Sequence, residues 1–158
     1  ILGGSFNPAH EGHRHISLLA LKLLQLDEVW WMVSPQNPLK PTEGMAPFED
    51  RLAEAHLLAN HPNIRVTDIE ERLGTTNTAE SLALLKLSFP ATKFVWIMGA
   101  DNLADMPPPA WMFFHTRLHP GSATNIRARR ASALNSNGQK SNGRKSAESA
   151  TNRLKEEK

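Results

Sequence analysis

The stretch ILGGSFNPAHEGH, residues 1–13, decides the fold, because an apolar strand end leads there into a turn and the turn leads into a helix. Gly3 and Gly4 are typical of residues that end such a strand. Glycines let backbone N–H groups come close to an anion, and the following helix directs its positive N-terminal end to the same place. His10 and His13 add imidazole donors beside it. The pattern predicts a phosphate-binding turn.

Apolar runs and helical patterns alternate from this turn through residue 99. Strands are expected at residues 1–2, 29–33, 64–69 and 94–98, and helices at residues 16–26, 48–60 and 77–87. This alternation predicts an α/β fold, a Rossmann-like open parallel sheet with helices on both faces. Ligands of such sheets bind at the carboxyl ends of the strands, beside the point where the strand order reverses. We therefore expect Gly4, Ser34 and Gly99 to converge on one crevice.

The regular pattern ends near three consecutive prolines, residues 107–109, which exclude a helix there. Residues 121–158 carry nine Lys or Arg against three Asp or Glu and no aromatic residue, whereas residues 1–120 carry nine against thirteen. We expect residues 1–127 to form the α/β domain, with an atypical or truncated C-terminal part. Residues 128–158 are expected to be a low-complexity basic tail that is disordered.

Composition excludes several classes of protein. The chain of 158 residues contains no Cys, which excludes disulfides, thiolate metal sites and cysteine nucleophiles and fits a reducing cytoplasm, where we expect the protein to act. No window approaches the roughly 18 uninterrupted apolar residues of a membrane helix, so no membrane partner is expected. The basic excess lies in the tail, and a specific nucleic-acid partner is not expected either.

The turn and three later motifs resemble those of the nucleotidyltransferases that share the HxGH motif, most closely the nicotinate mononucleotide adenylyltransferases. Residues 3–13 match the family's GGxFxPxHxGH segment. The later matches, in the family's order, are PLK at residues 38–40, TAESL at 78–82 and GADNL at 99–103. Residues 122–127, SATNIR, are similar to the family's S-S-T-x-I-R motif but follow GADNL much sooner than in the family. Two explanations of this spacing stay open: the similarity is a chance match, or the C-terminal half is shortened or frame-shifted.

The resemblance implies transfer of AMP from ATP to nicotinate mononucleotide, which forms deamido-NAD and pyrophosphate in NAD biosynthesis, with Mg²⁺ accompanying ATP. It implies that His10 and His13 stabilise the charged α-phosphoryl group and that Lys40 neutralises phosphate, with no nucleophile on the protein. The substrate-binding residues that it implies are Ser5 and Phe6 through backbone contacts at the mononucleotide, Asp101 at a ribose, Trp111 on the pyridine ring and Arg127 at the outer phosphates, together with Gly4 and Thr78, whose place is not specified.

Other interpretations of the same residues stay open. Thr78 also fits a helix cap, and Lys40 also fits a solvated loop charge. A metal site is not expected, because His13 and His15 point to different faces of a helix. The alternatives for the function are a related nucleotidyltransferase with another phosphate acceptor, and an inactive or impaired nucleotide-binding remnant.

Overall fold

The computed structural model describes residues 1–35, 44–75, 77–99, 125–130 and 132. Its strands are β1 (Leu2–Gly4), β2 (Val29–Val33) and β3 (Ile64–Thr67), and its helices are α1 (Glu11–Leu24), α2 (Phe48–Leu58), α3 (Ile69–Leu73) and α4 (Thr78–Ser88). The chain divides into two compact units, Ile1–Ala123 and Thr124–Lys158, and these elements belong to the first.

The described strands form a parallel sheet in the order β1–β2–β3. Leu2 lies opposite Trp31, and Trp31 lies opposite Val66. After α4 the chain returns to the other side of β1, where Ile97 forms a parallel bridge with Leu2 and donates its N–H to the Ile1 carbonyl at 2.7 Å. The strand order therefore reverses at β1, which confirms the predicted topology.

The strand predicted at residues 94–98 is wrong in extent, because Ile97 alone forms a bridge with β1 among the described residues. The register of this bridge places Trp96 opposite Ile1. The backbone nitrogen of Ile1 donates to the Val95 carbonyl at 2.6 Å. The segment follows β1 without forming a ladder.

Helices cover both faces of the sheet. Trp31 packs on one face with Ile16 of α1 and Ala55 of α2. Met32, the next residue of β2, packs on the other face with Leu85 of α4. Successive side chains of a strand point to opposite faces, so β2 is apolar throughout because both of its faces are covered. This confirms the predicted α/β class.

The helices agree with their predicted positions except at two places. α1 begins at Glu11, five residues before its predicted start at residue 16, because His10 caps it. The short helix α3 has no counterpart in the sequence-based prediction. α4 begins where Asn77 accepts from the Ala79 N–H at 2.9 Å, as expected of a cap. In the described ranges, no helix combines the length and apolarity needed to cross a membrane.

In the second unit, residues 125–130 and 132 are helical. The first residues of the tail predicted from residue 128 are therefore helical, and the remainder of that tail lies outside the described residues.

Candidate active site at the end of the first strand

The turn that follows β1 is held against the end of β2. Ser34, the first residue after β2, donates its N–H to the carbonyl of Gly4, the last residue of β1, at 2.9 Å. Phe6 then adopts a left-handed backbone conformation, with φ of +47°. Its ring is 2 % exposed and lies 5.2 Å from the Trp31 ring, centroid to centroid. A non-glycine residue rarely adopts this conformation, and burial of the ring contributes to stabilising it here.

The rings of His10 and His13 cap the first turn of α1. His10 is the N-cap residue: its Nδ1 accepts from the Gly12 N–H at 3.1 Å, and its own N–H donates to His13 Nδ1 at 3.1 Å. These bonds form a capping box in which imidazole nitrogens replace the usual side-chain oxygens. The two ring centroids lie 3.8 Å apart. The structure therefore brings the two predicted catalytic rings together.

These hydrogen bonds determine where the neutral rings carry their protons. A ring nitrogen that accepts a hydrogen bond has no proton, so each neutral ring carries its proton on Nε2. Burial lowers the pKa of His13 from 6.5 to about 3, and the charge of His10 lowers it in the same direction. His13 is therefore neutral at pH 7 and offers an Nε2–H donor.

Acidification should destabilise the protein through His13. The folded-state pKa of His13, about 3, lies below the unfolded value of 6.5, so the free energy of unfolding falls as the pH decreases from 6.5 towards 3. From pH 7 to pH 5 this one group accounts for a loss of about 2 kcal/mol. Urea unfolding of the wild type and of His13→Gln at pH 7 and pH 5 measures this loss. His56→Gln is the control, because His56 is exposed on α2. Equal losses in the wild type and His13→Gln would contradict this expectation.

This end of α1 can bind an anion without a metal ligand. The N-terminus of a helix carries partial positive charge, and the neutral imidazole of His13 adds a directed Nε2–H donor. Within the described part of the chain, no three side chains of His, Asp or Glu come together in a way that could hold a metal ion.

Gly3 has a packing role that the sequence analysis did not predict. A Cβ at Gly3 would overlap the indole ring of Trp96, whereas the nearest atom to a Cβ at Gly4 is Cε2 of Phe6, at 3.8 Å. Neither glycine has a positive φ. Gly3 is therefore required because Trp96 packs directly on the backbone of β1, and the anion-binding role of Gly4 stays a prediction.

Gly3→Ala should destabilise the protein, whereas Gly4→Ala should have little effect. The added methyl at Gly3 forces Trp96 to move, and such overpacking typically costs about 1–3 kcal/mol. Urea unfolding followed by tryptophan fluorescence measures the loss in both variants. Similar losses in the two variants would show that the indole does not pack on Gly3.

Half of the predicted site residues lie in one segment. Between the start of β1 and the first turn of α1 the structure places Gly4, Ser5, Phe6, His10 and His13. Thr78 is the first residue of α4, which packs on the opposite face of the sheet from α1. Asn77, and not Thr78, supplies the side-chain cap of that helix, so a substrate contact of Thr78 stays a prediction.

The remaining predicted residues are not part of this segment. Arg127 is exposed and belongs to the helical residues 125–130 of the second unit. The predicted positions of Lys40, Asp101 and Trp111 lie outside the described residues.

The sequence analysis missed two polar residues that hold the turn. Asn7 accepts from the Ala46 N–H at 3.1 Å through its side-chain oxygen. Arg51 is 2 % exposed, and its Nη1 lies 2.6 Å from the Ser5 carbonyl oxygen. The position of Arg51 on α2 could have indicated that it is buried, because it precedes the buried Ala55 by one helical turn.

A parallel α/β sheet whose strand order reverses beside a histidine-capped helix is a Rossmann-like nucleotidyltransferase fold. The sequence model of the cytidylyltransferase-like family matches residues 1–129. The chain belongs to this family.

Relatives and a solved structure agree with this assignment. The chain is 59% identical over 107 residues to a probable nicotinate-nucleotide adenylyltransferase of Parvibaculum lavamentivorans, which covers 68% of this chain and 53% of that relative. It is 62% identical over 104 residues to a protein of the same name from Cereibacter sphaeroides, with coverage of 66% and 56%. The chain thus spans about half the length of the curated relatives it matches.

The fold is also similar to that of the nicotinic acid mononucleotide adenylyltransferase of Plasmodium falciparum, which was solved in complex with NaAD. The TM-score is 0.55 at 21% identity, over 66% of this chain and 52% of that chain. At this identity the similarity supports the fold alone.

Proposed function

We propose that this chain transfers AMP from ATP to nicotinate mononucleotide, which forms deamido-NAD and pyrophosphate as a step of NAD biosynthesis in the cytoplasm. The histidine-capped turn at the end of β1 carries the proposal, because it presents donors to an anion where ligands of this fold class bind. Identity of 59% and 62% with relatives named for this reaction supports it.

In the proposed reaction, an oxygen of the mononucleotide phosphate attacks the α-phosphorus of ATP. The new P–O bond forms as the bond to the oxygen that bridges to the β-phosphorus breaks, and pyrophosphate leaves with the electron pair. The Nε2–H of His13 and the N-terminus of α1 stabilise the negative charge around the α-phosphorus. The protein supplies position and donors, and no covalent intermediate is needed.

Mg²⁺ belongs to this proposal as the companion of ATP. The ion prefers oxygen ligands, whereas the described turn offers the imidazole rings of His10 and His13. These rings would serve the phosphate oxygens, and the triphosphate would hold the ion, which would spread its negative charge.

The proposal extends to the other residues that the resemblance implies. Lys40 would neutralise phosphate, and Asp101 would bind a ribose. Contacts to the substrates are also proposed for Gly4, Ser5, Phe6, Thr78, Trp111 and Arg127.

The test is an acceptor panel with ATP and Mg²⁺. Pyrophosphate release is followed with nicotinate mononucleotide, nicotinamide mononucleotide and phosphopantetheine in parallel, and the dinucleotide is identified by mass spectrometry. We expect the fastest release with nicotinate mononucleotide. Release with phosphopantetheine alone would favour a related nucleotidyltransferase with another acceptor.

A further inference from the structure

Arg51 is an unusual residue because its guanidinium is buried and binds only carbonyl oxygens in the described bonds. Its side chain is 2 % exposed, although arginine is almost never fully buried unless it is paired. Burial lowers its pKa, and the carboxylate of Glu49 acts in the opposite direction. An arginine stays charged at neutral pH under such conditions.

The guanidinium joins three segments of the chain. Nη1 donates to the carbonyls of Ser5 at 2.6 Å and of Ser34 at 2.8 Å. Nη2 donates to Pro35 at 2.6 Å, and Nε donates to Ala46 at 3.0 Å. Its planar fork matches several acceptors at fixed angles, which a single ammonium cannot do. One side chain therefore connects the ends of β1 and β2 to the segment before α2.

The hydrogen bond from Arg51 to Ser5 is linked to the histidine pair through Phe6. The Ser5 carbonyl belongs to the peptide plane that precedes Phe6, whose backbone is left-handed. The Phe6 ring lies 4.6 Å from the His13 ring, centroid to centroid. A shift of the Ser5 carbonyl therefore moves the ring against which His13 packs.

Asn7 reinforces the same connection from the other side of the turn. Its side chain accepts from the Ala46 N–H and donates to the Gly44 carbonyl, both at 3.1 Å. The peptide groups of Ala46 are therefore held at the N–H by Asn7 and at the carbonyl by Arg51.

We infer that Arg51 is a positioning residue: its guanidinium fixes the turn between β1 and α1 and thereby holds His13 in the orientation that the transfer reaction requires. The rate consequence rests on the proposed function, whereas the positioning itself concerns the protein alone. Each part has its own measurement.

The first measurement uses the full wild-type chain and needs no activity. Side-chain ¹⁵N NMR should show the Nη–H protons of Arg51 resolved and exchanging with solvent at least about tenfold more slowly than those of Arg65 or Arg72. Both of these arginines are largely exposed, with side chains 65% and 66% accessible. Exchange of Arg51 as fast as that of Arg65 would overturn the inference, whatever happens to the variants.

The second measurement compares Arg51→Lys with Arg65→Lys. Arg51→Lys should shift the ring resonances of His13 and lower kcat about 10- to 100-fold with KM within about twofold, because a small misplacement of a catalytic group has effects of this size. Arg65→Lys should change neither the ring resonances of His13 nor kcat. A folded Arg51→Lys protein with unchanged His13 resonances overturns the inference.

The outcomes also separate this inference from the proposed function. A wild-type chain that releases no pyrophosphate contradicts the proposed function, and the His13 resonances and Arg51 exchange still decide the positioning. If Arg51→Lys does not fold, the exchange measurement on the wild type decides it.

Discussion

Replacing His13 with alanine should lower the rate of pyrophosphate release about 10²–10³-fold, because one donor to a developing negative charge is worth that much. In the free protein the ring is neutral, with its pKa lowered to about 3, so the loss concerns a hydrogen-bond donor and not a positive charge. We therefore expect the effect in kcat, with smaller changes in the KM values of both substrates. Steady-state kinetics with ATP and nicotinate mononucleotide measures this.

The control has to separate the reaction from the helix cap, since His13 Nδ1 also accepts the His10 N–H. Asparagine places a side-chain oxygen near the position of Nδ1 but has nothing at Nε2. His13→Asn should therefore recover most of the cap, worth about 1 kcal/mol, and stay as slow as His13→Ala. Glutamine extends an amide N–H towards the position of Nε2 and should recover part of the rate. If His13→Ala turned over at nearly the wild-type rate, His13 would have no part in the reaction.

Short stretches of sequence were sufficient to predict β2, the start of α4 and the histidine pair. The run at residues 29–33 is β2 with the expected bounds, because a strand covered on both faces is apolar at every position. The helix predicted at 77–87 is α4, and Asn77 caps its first turn, since a cap depends on residues within one turn. The HxGH motif indicated a histidine pair at the start of a helix, and the structure places the rings of His10 and His13 in contact.

Predictions that depend on distant partners were less successful. A strand at 94–98 needs backbone hydrogen bonds to a distant neighbour along its whole length, and among the described residues Ile97 alone forms a bridge with β1. The packing role of Gly3 was missed, because Trp96, the residue that leaves no room for a side chain there, is far away in sequence. Arg51 was missed because helical periodicity treats a charged residue as exposed, and its acceptors lie 5 to 46 residues away.

Phe6→Ala should lower the free energy of unfolding by about 3–5 kcal/mol, the usual cost of removing a buried aromatic ring. The Phe6 ring is 2 % exposed between Trp31 and His13, so the cavity would open directly under the site. Urea unfolding measures the loss, and Phe89→Ala is the matched control. Phe89 is 38% exposed at the end of α4, and its removal should cost clearly less.

The same substitution tests how Phe6 contributes to substrate binding. The resemblance implies backbone contacts to the mononucleotide at Phe6, and a ring with 2 % exposure has almost no surface to offer beyond them. Phe6→Leu keeps most of the buried volume and the whole backbone, so KM for nicotinate mononucleotide should stay close to the wild-type value while kcat falls with the altered packing of His13. A large rise in KM with an unchanged kcat would instead mean that the ring itself contacts the ligand, and that the turn opens when the ligand binds.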